Sequence, residues 1–130
     1  REKHGYSYQV ESSYSPYTST GLFTIYFGTD RHKINKSTAL VHQELDKLMR
    51  KPLGKQQLID AKRQMIGQLL ISAENKENIL AALAKNYLFN HTLYDLQERI
   101  HKIEQITANQ VLEVARELFQ EHQLSTLVYE

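Results

Sequence analysis

Apolar and polar positions alternate at the start of the chain. Tyr6, Tyr8 and Val10 interleave with Ser7, Gln9 and Glu11, a period of two that gives a β-strand one apolar face over Tyr6 to Ser13. From Ser12 to Thr20 the chain carries Pro16 among serine and threonine hydroxyls, which predicts a connection of turn-forming residues. Gly21 then opens Leu22-Phe23-Thr24-Ile25-Tyr26-Phe27, an aromatic and β-branched run that ends at Gly28. The two runs predict an antiparallel hairpin with a long loop.

After Gly28 the apolar period lengthens to that of a helix. Thr29 or Asp30 can cap a segment in which Ile34, Val41, Leu45 and Leu48 share one face, and Pro52 and Gly54 stop it. From Lys55, the residues Leu58, Ala61, Met65, Leu69 and Ser72 recur three or four apart, with Lys62, Arg63 and Gln68 on other faces. A break at Ser72 to Lys76 leads to a third helix from Glu77 to Phe89, apolar on more than one side and expected to be the most buried. Thr92 to Glu104 predicts a fourth helix, and Thr107-Ala108-Asn109-Gln110 is a capping-box signature for a fifth. Leu124 to Tyr129 reads as a last strand. Strands followed by a block of about five helices imply an α+β class: a hairpin and a C-terminal strand packed against helices.

Composition narrows the function classes. A chain of 130 residues is one domain or a piece of one, and residues 1–130 are expected to be a single domain cut from something longer. With 16 basic and 15 acidic side chains, and no basic stripe interleaved with aromatics, the sequence predicts no nucleic-acid partner. No apolar run reaches the ~20 residues of a membrane-spanning helix, so no membrane partner is expected. The absence of cysteine rules out disulfides and thiolate chemistry. It fits a reducing compartment, with the cytoplasm slightly favoured, and is compatible with export.

Candidate chemistry lies in the first eight residues, Arg1-Glu2-Lys3-His4-Gly5-Tyr6-Ser7-Tyr8. Arg1 offers a planar fork of donors for carbonyl or carboxylate oxygens, and Tyr8 a phenolic O–H that can point at a developing oxyanion. On the residues alone, a surface arginine and a packed strand tyrosine account for both. The six histidines, His4, His32, His42, His91, His101 and His122, contain no pair four apart with a glutamate between them. No metal ligand is assigned. Tyr14, Tyr17 and Phe23 could line a peptide cavity, but aromatics on a hairpin are more often packing contacts.

The spacing Arg1 to Tyr8 resembles the R-E-K-x-G-x-x-Y element in the C-terminal domain of insulinase-like (pitrilysin) zinc metallopeptidases. Tyr14 to Phe23 is similar to that family's loop and second strand, and Gly28-Thr29-Asp30 to its strand-to-helix turn. Ala61-Lys62-Arg63-Gln64-Met65-Ile66-Gly67 resembles its "A-K-x-x-L-x-G" helix, and Ile100 to Ala108 its "I-x-x-I-x-x-I/V-T-A" junction. Tyr6 departs from the pattern, standing where an aliphatic residue is common. The resemblance covers nearly the whole chain.

That resemblance implies a zinc endopeptidase of two similar α+β domains, with an inverted H-x-x-E-H motif and a distant glutamate on the N-terminal one. None of that motif is in this chain, so zinc would belong to the parent and not to this fragment. By resemblance, Tyr8 is the catalytic oxyanion or carbonyl donor, and Arg1 with Tyr8 binds the peptide substrate as this domain closes over the zinc-bearing domain or subunit. The fragment alone is expected to be inactive. A non-catalytic partner homologue and an unrelated α+β interaction module remain as alternatives. The family's larger sheet has strands that would precede Arg1, so an uncovered strand edge and self-association of the fragment are expected.

Overall fold

The structure, a computed structural model, describes residues 7–93 and 95–129. Arg1 and Tyr6 lie outside them. The described chain is α+β, a two-stranded hairpin followed by five α-helices, with short 3-10 turns at Arg31–Lys33 and Glu121–Gln123. It divides into two compact units, Arg1–Lys47 with Phe119–Glu130 and Leu48–Leu118.

In the first unit, β1 (Gln9–Pro16) pairs antiparallel with β2 (Gly21–Gly28), Gln9 opposite Gly28 and Pro16 opposite Gly21. The strand therefore runs on through Tyr14 to Pro16, which the sequence pattern assigned to a long loop. Ladder hydrogen bonds satisfy that backbone whatever the side chains, and Pro16 takes the last position, where its missing N–H is tolerated. Only residues 17–20 remain as the turn, closed by Tyr17 N–H donating to the Thr20 carbonyl at 2.9 Å.

Register places Val10, Tyr14, Phe23, Ile25 and Phe27 on one face of the hairpin. Phe23 meets the ring of Phe119 edge-on, with centroids 5.3 Å apart, and Phe119 is only 9% exposed. Tyr14 lies over Gly21, its ring and hydroxyl within 2.7–3.1 Å of where a Cβ would stand, so a larger residue there would displace the tyrosine. After the 3-10 turn, α1 (Ile34–Arg50) buries Leu45 and Ser37 and half-buries Ile34, Val41 and Leu48. The expected inner face is thus the observed one, with Ser37 added on its period. The closing strand expected at Leu124–Tyr129 is not formed. A strand exists only through a ladder partner, and among the described residues β1 and β2 bond only each other.

The second unit holds α2 (Lys55–Glu74), α3 (Lys76–Asn90), α4 (Leu96–Gln105) and α5 (Ala108–Leu118). α2 packs against α3 and α4. Its inner face is Leu58, Ile59, Lys62, Ile66, Leu69 and Ala73, while Ala61 and Met65 are exposed. Lys62 was expected outside. It is half-buried and its ammonium donates to the Glu104 carbonyl at 2.6 Å, satisfying a terminal carbonyl of α4.

Caps set the helix boundaries in this unit. Asn75 ends α2 and starts α3, its Oδ1 accepting from Glu77 N–H at 2.8 Å. α4 begins at Asp95, whose carboxylate accepts from the Gln97 and Glu98 amides, and not at Thr92 as the pattern predicted. Thr107 and Gln110 form the expected capping box before α5, each side chain bonding the other's backbone N–H. Ala115 on α5 is 4% exposed, and Arg116 donates to the Met49 carbonyl at 2.9 Å.

α3 is not the most buried helix. Leu80, Tyr87, Leu88 and Phe89 are 60–70% exposed. A helix apolar all round can bury only the side that has a neighbour; α3 packs on α2, and its half-buried residues are Ile79, Ala82, Leu83 and Asn86.

Candidate functional site

Tyr8 sits just before β1, where the hairpin fixes its backbone. Its N–H donates to the Gly28 carbonyl at 2.9 Å, and the Ser7 hydroxyl reaches the same carbonyl at 2.9 Å and that of Gln9 at 2.6 Å. These bonds hold Tyr8 beside the exit of β2, and two residues beyond Gly28 stands Asp30. The Tyr8 phenol donates to Asp30 Oδ1 at 2.5 Å, and Lys33 Nζ pairs with Asp30 Oδ2 at 2.8 Å. Lys33 N–H also donates to the Asp30 carbonyl at 2.8 Å, so the 3-10 turn fixes the spacing between carboxylate and ammonium.

The electrostatics follow from that geometry. The hydrogen bond to Asp30, and then the charge of that carboxylate, raise the Tyr8 phenol above its ordinary value, with Lys33 opposing. Asp30 is held below the usual carboxylate range by its bonds to Lys33 and then to Tyr8. Like any tyrosine near or above its ordinary value, Tyr8 is a protonated donor at neutral pH. Its side chain is 71% exposed, with the hydroxyl tethered and the ring open to solvent.

Of the two residues singled out in the sequence, Tyr8 is placed at this strand end, and Arg1 lies outside the described residues. Asp30 and Lys33 were missed as part of the constellation, Asp30 having been read only as a cap. The available signal was an acidic residue two positions after the glycine ending β2, with a lysine three residues on. Phe23 is a packing contact on Phe119, and Tyr14 covers Gly21. An open cavity of about 800 Å³ in the second unit is lined by Met65, Leu69, Asn86, Leu93 and Ile103 among others, and Tyr8 is not among them.

Zinc sites need three or four histidine, cysteine or carboxylate ligands converging on one point. Among the described residues no three such side chains group in that way.

A family model described as "Peptidase M16 inactive domain" matches residues 1–65, half of the chain. The chain belongs to the peptidase M16 family. This is the insulinase-like group whose C-terminal domain the Arg1 to Tyr8 spacing resembles. A Bacillus subtilis protein named "Uncharacterized zinc protease YmxG" is 30% identical over 98% of this chain and 31% of its own length. A Rickettsia felis "Uncharacterized zinc protease" is 28% identical over the same shares. The M16 chain thus spans about a third of the length of the curated relatives it matches. A chain in the structure titled "Complex III2 from Candida albicans, Inz-5 bound" superposes with a TM-score of 0.81 over 89% of this chain and 28% of that one, at 19% identity. That likeness concerns the fold. Hydrolase, protease and zinc attach to the M16 family through the relatives' names.

Proposed function

We propose that this M16 chain is the substrate-binding, chamber-closing C-terminal domain of a zinc-dependent endopeptidase, with the metal on a preceding domain or partner subunit. The observation that carries the reading is Tyr8: an exposed phenol whose backbone and hydroxyl are both tied to the end of the hairpin. A phenol so placed can donate to a peptide carbonyl or to the oxyanion that develops when that carbonyl is attacked. Such a donor lowers the barrier to the extent that its bond is stronger in the transition state than to the bound peptide.

Zinc, where the parent binds it, supplies the activated water. The contribution of this chain is to bind and orient the peptide from the other side. By resemblance Arg1 presents its guanidinium fork to the substrate backbone or a carboxylate. Without the opposing domain, Tyr8 has no activated water to work with, and this chain alone has no hydrolytic activity.

The test is peptide hydrolysis by the folded full-length parent with and without chelator, comparing wild type with Tyr8→Phe. Chelator-sensitive activity that falls about 10-fold or more on loss of the one hydroxyl supports the reading. Activity indifferent to the hydroxyl makes Tyr8 structural. A folded parent with no activity assigns the chain to the non-catalytic partners of the family.

A further inference from the structure

Asp30 occupies the position from which it could cap the 3-10 turn Arg31–Lys33, yet its side chain makes no capping hydrogen bond there. Both carboxylate oxygens go to side chains instead, Oδ1 accepting from the Tyr8 phenol and Oδ2 pairing with Lys33 Nζ. A carboxylate passing over the nearest backbone amides to hold a phenol is not explained by helix capping. The contact also has a chemical consequence. A phenol has one proton to donate. While that proton is donated to Asp30, Tyr8 cannot offer it to a substrate.

We infer that Asp30 is a latch on Tyr8, a positioning residue that retains the phenolic hydrogen bond until a substrate oxygen carrying negative charge takes it over. The inference rests on the reading of Tyr8 as a donor.

Relative bond strengths determine what opens the latch. A hydrogen bond to a carboxylate is roughly twice as strong as one between neutral groups. A neutral peptide carbonyl therefore competes poorly with Asp30. An oxyanion carries comparable charge and competes on equal terms, so the phenol changes partner as charge develops on the substrate. The hold also subtracts from whatever stabilisation Tyr8 can deliver. Lys33 tempers it, because the ammonium on Oδ2 draws charge away from the bond on Oδ1. The raised titration of Tyr8, caused first by its bond to Asp30, agrees with this arrangement.

Asp30 and its neighbour Lys33 give variants of opposite sign. Asp30→Asn keeps an acceptor oxygen and nearly the same shape but removes the charge, so the latch weakens. Lys33→Met removes the tempering cation, so the latch tightens. Peptide hydrolysis by the full-length parent is expected to show kcat/KM about 3-fold higher for Asp30→Asn and lower for Lys33→Met, on the scale by which charged hydrogen bonds exceed neutral ones. Both effects should vanish when Tyr8→Phe is added, because they act through the hydroxyl. A fall or no change with Asp30→Asn, or a change of equal size with and without the Tyr8 hydroxyl, overturns the latch and leaves the donor reading standing. A Tyr8→Phe parent as active as wild type, or a folded wild-type parent without activity, overturns the donor reading and the latch with it.

Discussion

The strand end around Tyr8 and the helix α3 (Lys76–Asn90) are both exposed, and for different reasons. At the strand end, polar groups meet specific partners: phenol to Asp30, Asp30 to Lys33, and backbone amides to Gly28 and Asp30. On α3, Leu80, Leu88 and Phe89 are apolar and largely in solvent. Hydrogen-bonding groups two or three residues from a strand end find one another through local geometry. Apolar residues are covered only if an element packs on their side. The first kind of arrangement is fixed by the strand register, which brings Tyr8 and Asp30 together, and the second depends on what surrounds the helix.

The largest difference should appear on deleting apolar side chains from the two regions. Phe119, nearly buried and edge-on to Phe23, should lose about 3 kcal/mol of unfolding free energy on Phe119→Ala. Leu88→Ala on α3 should lose about 0.5 kcal/mol or less, since little area leaves contact. Chemical denaturation of the 130-residue chain measures both. Equal losses would mean that α3 is covered in solution.

Capping residues should fall between these limits. Thr107→Ala breaks the reciprocal cap before α5 and should cost about 1 kcal/mol in the same experiment. A loss below a few tenths would show that packing, and not the cap, fixes that helix start.

The apolar face of α3 and the uncovered strand edges bear on association. We expect the isolated chain to self-associate, and light scattering over rising concentration reads this directly. If α3 is the surface involved, Leu80→Lys with Leu88→Lys shifts the chain towards monomer while leaving the helix content unchanged. A clean monomer at high concentration for the wild type contradicts the expectation.

The smallest effect is on pH dependence. Asp30 titrates below its ordinary value, so its contribution to folding is present above the unfolded Asp value and fades as pH falls through the lowered one. Tyr8 titrates above 10.0, so its share is full below that value and is lost as pH rises through the raised one. Asp30→Asn should flatten both limbs slightly. Limbs identical to wild type would mean that the carboxylate is not engaged.

The hairpin, the helix order and the capping box before α5 were legible because each rests on local signals: alternation, glycine and proline breaks, and a Thr-to-Gln spacing of three. The extent of β1 was not, because Tyr14 to Pro16 look like a turn and become a strand only through the ladder to β2. Lys62 was misplaced because a charge at its tip hides an apolar stem. Tyr8 was legible as a candidate through its resemblance to a family element. Asp30 was not, because its partner lies 22 residues away across the hairpin, a separation that only the register reveals.

The central claim is that the Tyr8 hydroxyl is held by the Asp30 carboxylate. It is tested most directly by labelling tyrosine Cζ with carbon-13 and following each resonance through alkaline titration, with Tyr8 identified by its loss in Tyr8→Phe. The account predicts that Tyr8 ionises above the ordinary value of 10.0 and moves back towards it in Asp30→Asn. A Tyr8 resonance that titrates at the ordinary value, or one indifferent to Asp30→Asn, would contradict it.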